Sequence, residues 1–155
     1  MEHASISRFR VALTARGGRG RIVTLPDSVH TAALAADALG CEVGAIANSL
    51  VFDCDGEPLL VMASGAHRVD TGLLARMLAA TAIRKADPQL VRSATDQVIG
   101  GVAPTGHPHR VRTVVDETLA RYPVVWTAAG TADSVMSMTY EQLLVVTDGV
   151  AMAVR

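Results

Sequence analysis

Seven residues, Gly100-Gly101-Val102-Ala103-Pro104-Thr105-Gly106, put three glycines and a proline into one short loop. Glycine reaches backbone angles closed to other residues and lets a ligand approach the main chain, while proline fixes the direction in which the loop leaves. Such a loop can offer bare amides and carbonyls to a small polar substrate; an ordinary turn is the competing reading. Five histidines, His3, His30, His67, His107 and His109, are the other groups able to do chemistry. His107 and His109 flank Pro108 just past the loop, but without a third ligand or a nearby carboxylate they do not make a metal site, and no metal is expected. His30 and His67 are the stronger candidates for a site, because each precedes or opens a helix, against a surface or structural role for either. P-loop, GxGxxG, HExxH and GxSxG patterns are absent in the contexts that give them meaning.

The elements that must hold these residues alternate between strand and helix. Arg16 to Arg21 is a turn or flexible connection, and Ile22 to Leu25 a short strand. Pro26-Asp27-Ser28 opens a helix with Ser28 as its N-cap and Gly40 as its stop. Residues 43 to 52 and 58 to 63 form two strands joined at Asp53-Cys54-Asp55-Gly56, where Asp-Gly between apolar runs signals a hairpin. Asp70 caps a helix to about Ala80, with Leu73, Leu74, Met77 and Leu78 on its buried side. Asp87-Pro88 starts another, running to about Ile99 and delivering the chain into the glycine loop. Strands follow at 111 to 115 and 124 to 127, with a helical turn at 117 to 121 between them. A strand at 135 to 139, a helix at 140 to 146 and a strand at 150 to 154 complete the chain. Hairpins mixed with short helices predict one compact α+β domain with a mixed, largely antiparallel sheet.

Bulk properties bound the function. The chain has 155 residues, enough for one domain with a real core, and half of them are hydrophobic. It has no apolar run long enough to span a bilayer and no secretory signal at Met1-Glu2-His3-Ala4-Ser5, so a soluble cytoplasmic protein is expected. Cys41 and Cys54, thirteen positions apart, have no ligand spacing and read as buried thiols. Formal charge is −1, so the whole molecule is no nucleic-acid magnet. Charge is uneven, however: Arg8, Arg10, Arg16, Arg19 and Arg21 face only Glu2 within the first 21 residues. Residues 1–21 are therefore separated as an arginine-rich segment, either a phosphate-binding arm or simply a solvated one. Thirteen arginines against the single Lys85 fit a GC-rich genome as well as they fit RNA binding.

Four pieces, in order, resemble the YbaK/EbsC family, the prolyl-tRNA-synthetase-associated or INS-like editing domain. They are His30-Thr31-Ala32-Ala33 with Leu39-Gly40-Cys41, Ile46 to Phe52 with its hairpin into Leu60-Val61-Met62, His67-Arg68-Val69-Asp70, and Ile99 to Gly106. The likeness covers about residues 22 to 150 and makes residues 22–155 an editing-type domain, its sheet curled around a pocket. It implies an aminoacyl-tRNA deacylase that cleaves the ester of a mischarged small amino acid from tRNA, the pocket acting as a second sieve. The loop from Gly100 to Pro104 would offer main-chain groups to the aminoacyl moiety and a water, with help from the substrate's ribose hydroxyl. No metal or nucleotide cofactor is implied. The implied partners are the tRNA acceptor end and an aminoacyl-tRNA synthetase; a homodimer is the oligomer to test for.

Asn48 is where the chain departs from the family, whose deacylating members carry a lysine there. An amide can hold a water or the ester through hydrogen bonds but supplies no charge. The site set is accordingly Asn48, Gly100 and Gly101 for catalysis, with His30, Ser64, His67, Pro104, Thr105 and Gly106 for substrate binding. The alternative is a module of the same fold that binds aminoacyl-tRNA, an amino acid or a nucleotide end without turnover. A third reading is hydrolysis of another small activated acyl compound.

Overall fold

The computed structural model describes residues 2–155. In chain order the elements are α1 (Ala4–Ala15), β1 (Ile22–Thr24), α2 (Ala32–Leu39), β2 (Ile46–Cys54), β3 (Glu57–Ser64), α3 (Thr71–Met77) and β4 (Ile83–Lys85). There follow α4 (Pro88–Thr95), β5 (Arg112–Asp116), β6 (Val125–Ala128), β7 (Ser134–Met138), α5 (Tyr140–Thr147) and β8 (Val150–Met152). Short 3-10 turns occupy Val43–Ala45 and Glu117–Arg121.

The hairpin at Asp55-Gly56 is the centre of the sheet. Both turn residues have positive φ, 52° and 91°, the conformation a two-residue turn needs if its twist is to match the strands. From it β2 and β3 pair antiparallel over Ala47↔Ser64 to Cys54↔Glu57. The sheet runs β1-β7-β6-β2-β3-β5-β8, with β4 added to β2. Pairs β2–β6, β3–β5 and β5–β8 are parallel and the other four antiparallel, so the protein is an α+β fold on a mixed sheet.

Period-two alternation sends the side chains of the central strands into two cores. Leu60, Met62 and Val115 pack on one face with Phe9 and Leu13 of α1, Val91 of α4 and Leu143 and Val146 of α5. Leu59, Val61, Ala63 and Val114 pack on the other with Leu74 of α3 and Ile83 of β4. With both faces covered, β3 reads as a continuous apolar run rather than an alternating one.

Several elements differ from expectation. The sequence assigns no element before residue 22, yet α1 occupies 4–15 and buries Phe9 completely. Helix α2 starts three residues later than expected, because the cap is Thr31, whose hydroxyl accepts from Leu34 N at 3.1 Å, and not Ser28. Its stop at Gly40, φ 68°, is as read. Asp70 caps α3 as expected, but the helix ends at Met77, and only Leu74 of its apolar residues is fully buried. Helix α4 ends at Thr95 because Asp96 turns left-handed, φ 57°, so a four-residue link separates it from the glycine loop. Strand β4 was not anticipated.

One consequence of the topology matters for the site. On its edge away from β3, β2 meets β6 at Ile46 and Ala47, and β4 only from Phe52 onward. Ala86 N donates to Val51 O from that edge, and strand alternation places the Ser49 main chain on the same side. The edge is therefore split around Ser49, outside both ladders, and cavities open on either side of the split.

Candidate functional site

The first cavity, about 550 Å³, gathers His30 and Thr31 from the entry to α2, Asn48, Ser49 and Leu50 from β2, and Trp126 and Thr127 from β6. Gly100 closes one side of it. Three of the residues singled out from sequence, His30, Asn48 and Gly100, thus meet in one place. Gly100 sits at φ +89°, a conformation that glycine adopts freely. Neither its amide nor the Asn48 side chain bonds to another described residue, so both remain available to a ligand. Among the described residues the Thr127 hydroxyl is likewise without a partner although the residue is 1% exposed. A buried, unpaired polar group is costly in a folded protein; this one lies on the sheet face that Ala47 and Met136 give to the core, with almost no surface open to the cavity.

The glycine loop divides after Gly100. Gly101 is buried, and a Cβ there would lie 2.7 Å from the Thr131 carbonyl carbon and 2.8 Å from Ala132 N. Its role is close packing of two backbones. Beyond it, Ala103 N donates to Gln97 Oε1 at 2.7 Å, and the His107 Nε2–H donates to Ala103 O at 2.8 Å. Burial pushes the His107 pKa down, the hydrogen bond to Ala103 opposing it, so a neutral imidazole carrying its proton on Nε2 fits the geometry. Pro104, Thr105 and Gly106 line a different, smaller cavity of about 260 Å³, together with Arg16, His107 and His109. A Cβ on Gly106 would meet the Phe9 backbone of α1 at 2.9 Å. The structure does not bring these residues to the Asn48 cavity.

Ser64 is also elsewhere. It is fully buried, its hydroxyl donates to Gly44 O at 2.7 Å, and its amide donates to Asp116 Oδ2 at 3.0 Å. These bonds tie the end of β3 to the turn before β2 and to the end of β5. His67 belongs to a second cavity, about 590 Å³, on the other side of the split. Its Nδ1–H donates to the same Asp116 oxygen at 2.9 Å, and Thr118 N donates to the other at 3.0 Å. The buried Asp116 therefore fixes the ring plane of His67, and with it which nitrogen is left for a ligand.

Sequence reasoning missed Asp116. Asp116 carried a weak signal as a carboxylate at the junction of a strand and a helical turn, where capping is common.

Burial raises the pKa of both free thiols, Cys41 and Cys54, which disfavours the reactive thiolate. No helix among the described residues is long and apolar enough to cross a membrane.

Comparison with known proteins gives the family. The model of the aminoacyl-tRNA editing domain family matches residues 26–145. A crystal structure of a candidate trans-editing enzyme for prolyl tRNA synthetase superposes with TM-score 0.93 at 38% identity, over 100% of this chain and 99% of that one. YwhH, an uncharacterized protein of Bacillus subtilis (strain 168), is 29% identical over 147 residues, 90% of this chain and 88% of its own. The hypothetical protein APE2540, with TM-score 0.86 at 24% identity over 95% of this chain and 98% of its own, shares the fold. The chain belongs to the aminoacyl-tRNA editing domain family.

Proposed function

We propose that the protein hydrolyses the ester joining a mischarged small amino acid to the terminal adenosine of tRNA. The observation that carries this reading is the convergence of two unengaged polar groups, the Gly100 amide and the Asn48 carboxamide, at one cavity of about 550 Å³. That cavity has to receive the ribose end as well as the amino acid, which favours small side chains.

An aminoacyl ester is already activated, so catalysis needs a placed water and a donor for the oxyanion. The water oxygen attacks the ester carbonyl carbon, and the carbonyl oxygen takes up negative charge that the Gly100 N–H is free to meet. A single such donor is worth on the order of 10²–10³ in rate. The bond from that carbon to the ribose oxygen then breaks. The water proton passes to the departing ribose oxygen, with the neighbouring ribose hydroxyl as relay, releasing the amino acid and an intact tRNA. Asn48 holds the water or the α-amino group through neutral hydrogen bonds. A cytoplasmic tRNA pool, with a synthetase as the source of mischarging, is the setting this chemistry requires.

The test is a panel of tRNAs charged with alanine, serine, cysteine and proline. Ester loss above the spontaneous rate for one or more small residues is expected; spontaneous rates throughout would overturn the proposal. Asn48 itself supports a second reading, a module that binds an aminoacyl end without turnover, because a neutral amide stands where deacylating relatives carry a charge. Tight binding of a non-hydrolysable aminoacyl-adenosine analogue without ester loss would select that reading. Turnover of other small activated acyl compounds, with tRNA esters untouched, would select the third.

A further inference from the structure

We infer that the second cavity seats the phosphodiesters just before the terminal adenosine, so that one acceptor end threads both cavities with its ester beside Asn48. The inference rests on the editing function proposed above and names the subsite for the rest of the substrate.

Charge is the first ground. The cavity of about 590 Å³ is lined by His67, Arg68, Arg84 and Lys85, and no carboxylate is among its lining residues. In a chain of formal charge −1 this is a strongly local excess of positive charge. Among the described residues Arg68, Arg84 and Lys85 form no ion pair, so their charge is unspent. Neighbouring acids have other work. Asp53, opposite Arg84 in the ladder, accepts from Gly56 N, while Asp70 and Asp87 cap α3 and α4. Asp116 already holds His67 and two amides.

Continuity is the second ground. Ser49, Leu50 and Ile99 line both cavities, at the split in the sheet edge. Leu50 is 37% and Ile99 56% exposed, which places apolar surface at the junction where a sugar or base would lie between ester and phosphate. Guanidinium groups suit a phosphate by bidentate hydrogen bonding, and an ammonium adds a point charge. Both Arg84 and Lys85 sit on the exposed edge strand β4, where replacement leaves the core intact.

The probe is an acceptor-stem RNA minihelix with an uncharged 3′ end, its binding followed by fluorescence anisotropy across a salt series. The double variant R84Q/K85Q is expected to bind about tenfold more weakly. Its salt dependence should be shallower by about 1.4 in log–log slope, the loss of two single-strand phosphate contacts. R84K/K85R, which keeps the charge, should recover most of the affinity, and R92Q, on the exposed side of α4, should match the parent. An R84Q/K85Q protein with unchanged affinity and slope overturns the inference. Hydrolysis provides the second readout, because aminoacyl-adenosine carries the ester without a phosphate. The double variant should lose at least fivefold more activity on a charged minihelix than on aminoacyl-adenosine, and equal losses would overturn the inference. If the parent hydrolyses neither ester while charge-dependent RNA binding persists, the editing function falls and the phosphate subsite stands. If it hydrolyses both and binding ignores Arg84 and Lys85, only the subsite falls.

Discussion

Gly100 and Gly101 are adjacent in sequence and opposite in circumstance. Around Gly100 a Cβ would find open space, the nearest atom being the Ala132 Cβ at 4.0 Å, and its amide is free at the cavity wall. Around Gly101 the same Cβ would run into the backbone at Thr131 and Ala132. The contrast continues along the loop: residues 103–107 are sealed by Gln97, His107 and α1, while only the leading edge meets the Asn48 cavity. A glycine-rich loop thus combines two requirements for glycine, main-chain access to a ligand and close contact between backbones, and the two sit one residue apart.

Paired substitutions separate them. Gly101→Ala must push apart two backbone segments, and a loss of about 3 kcal/mol is expected, read as a lower urea midpoint at unchanged slope. Gly100→Ala meets no obstacle but is held at φ +89°, a conformation costing about 1–2 kcal/mol for an alanine. Its hydrolytic activity should fall by a larger factor than its stability accounts for, because the added methyl group stands beside the free amide. Equal destabilisation by the two changes would erase the distinction between them.

Asn48 sharpens the open half of the comparison. If charge is what the cavity lacks, Asn48→Lys should raise the deacylation rate on a charged tRNA by about tenfold, or about 1.4 kcal/mol in barrier. Asn48→Ala should lower it. A folded N48K protein that binds the aminoacyl end without any gain in rate would mean that the cavity has been turned to binding.

Much of this arrangement was legible in the sequence, for reasons that are local. Asp55-Gly56, Asp70, Asp87-Pro88 and Gly40 announce a hairpin, two caps and a helix stop through short-range backbone chemistry, and each acts where the residues indicate. The N-terminal helix was not legible, because Phe9 and Leu13 are spaced correctly for a buried face but stand among arginines that read as a solvated arm. Strand β4 has three residues, only one of them buried, too few to show an alternation. The cavity was half legible. Its loop and its Asn48 strand carry motifs, whereas Trp126 reaches it through pairing with a residue 80 positions away, and no local pattern encodes that contact. For the same reason Ser64 looked like a site residue: its position beside His67 in sequence hides that its hydroxyl points to Gly44.

The sealed half of the loop offers the smallest expected effect and a pH signature. Burial holds the His107 pKa below its ordinary value near 6.5, with the Ala103 hydrogen bond opposing the shift. The unfolded chain therefore binds more protons than the folded one between the lowered pKa and about 6.5, and stability rises with pH across that window. Above it the contribution is complete; as pH falls through the folded pKa it is lost, because protonation must charge a buried ring. Chemical denaturation from pH 7.5 down to 5 should show the parent losing stability with a slope that His107→Gln flattens. The carboxamide can still donate to Ala103 O while taking up no proton. Unfolding midpoints of parent and variant that fall in parallel over this range would assign the acid sensitivity to other groups and leave the loop's sealed half without a titrating element.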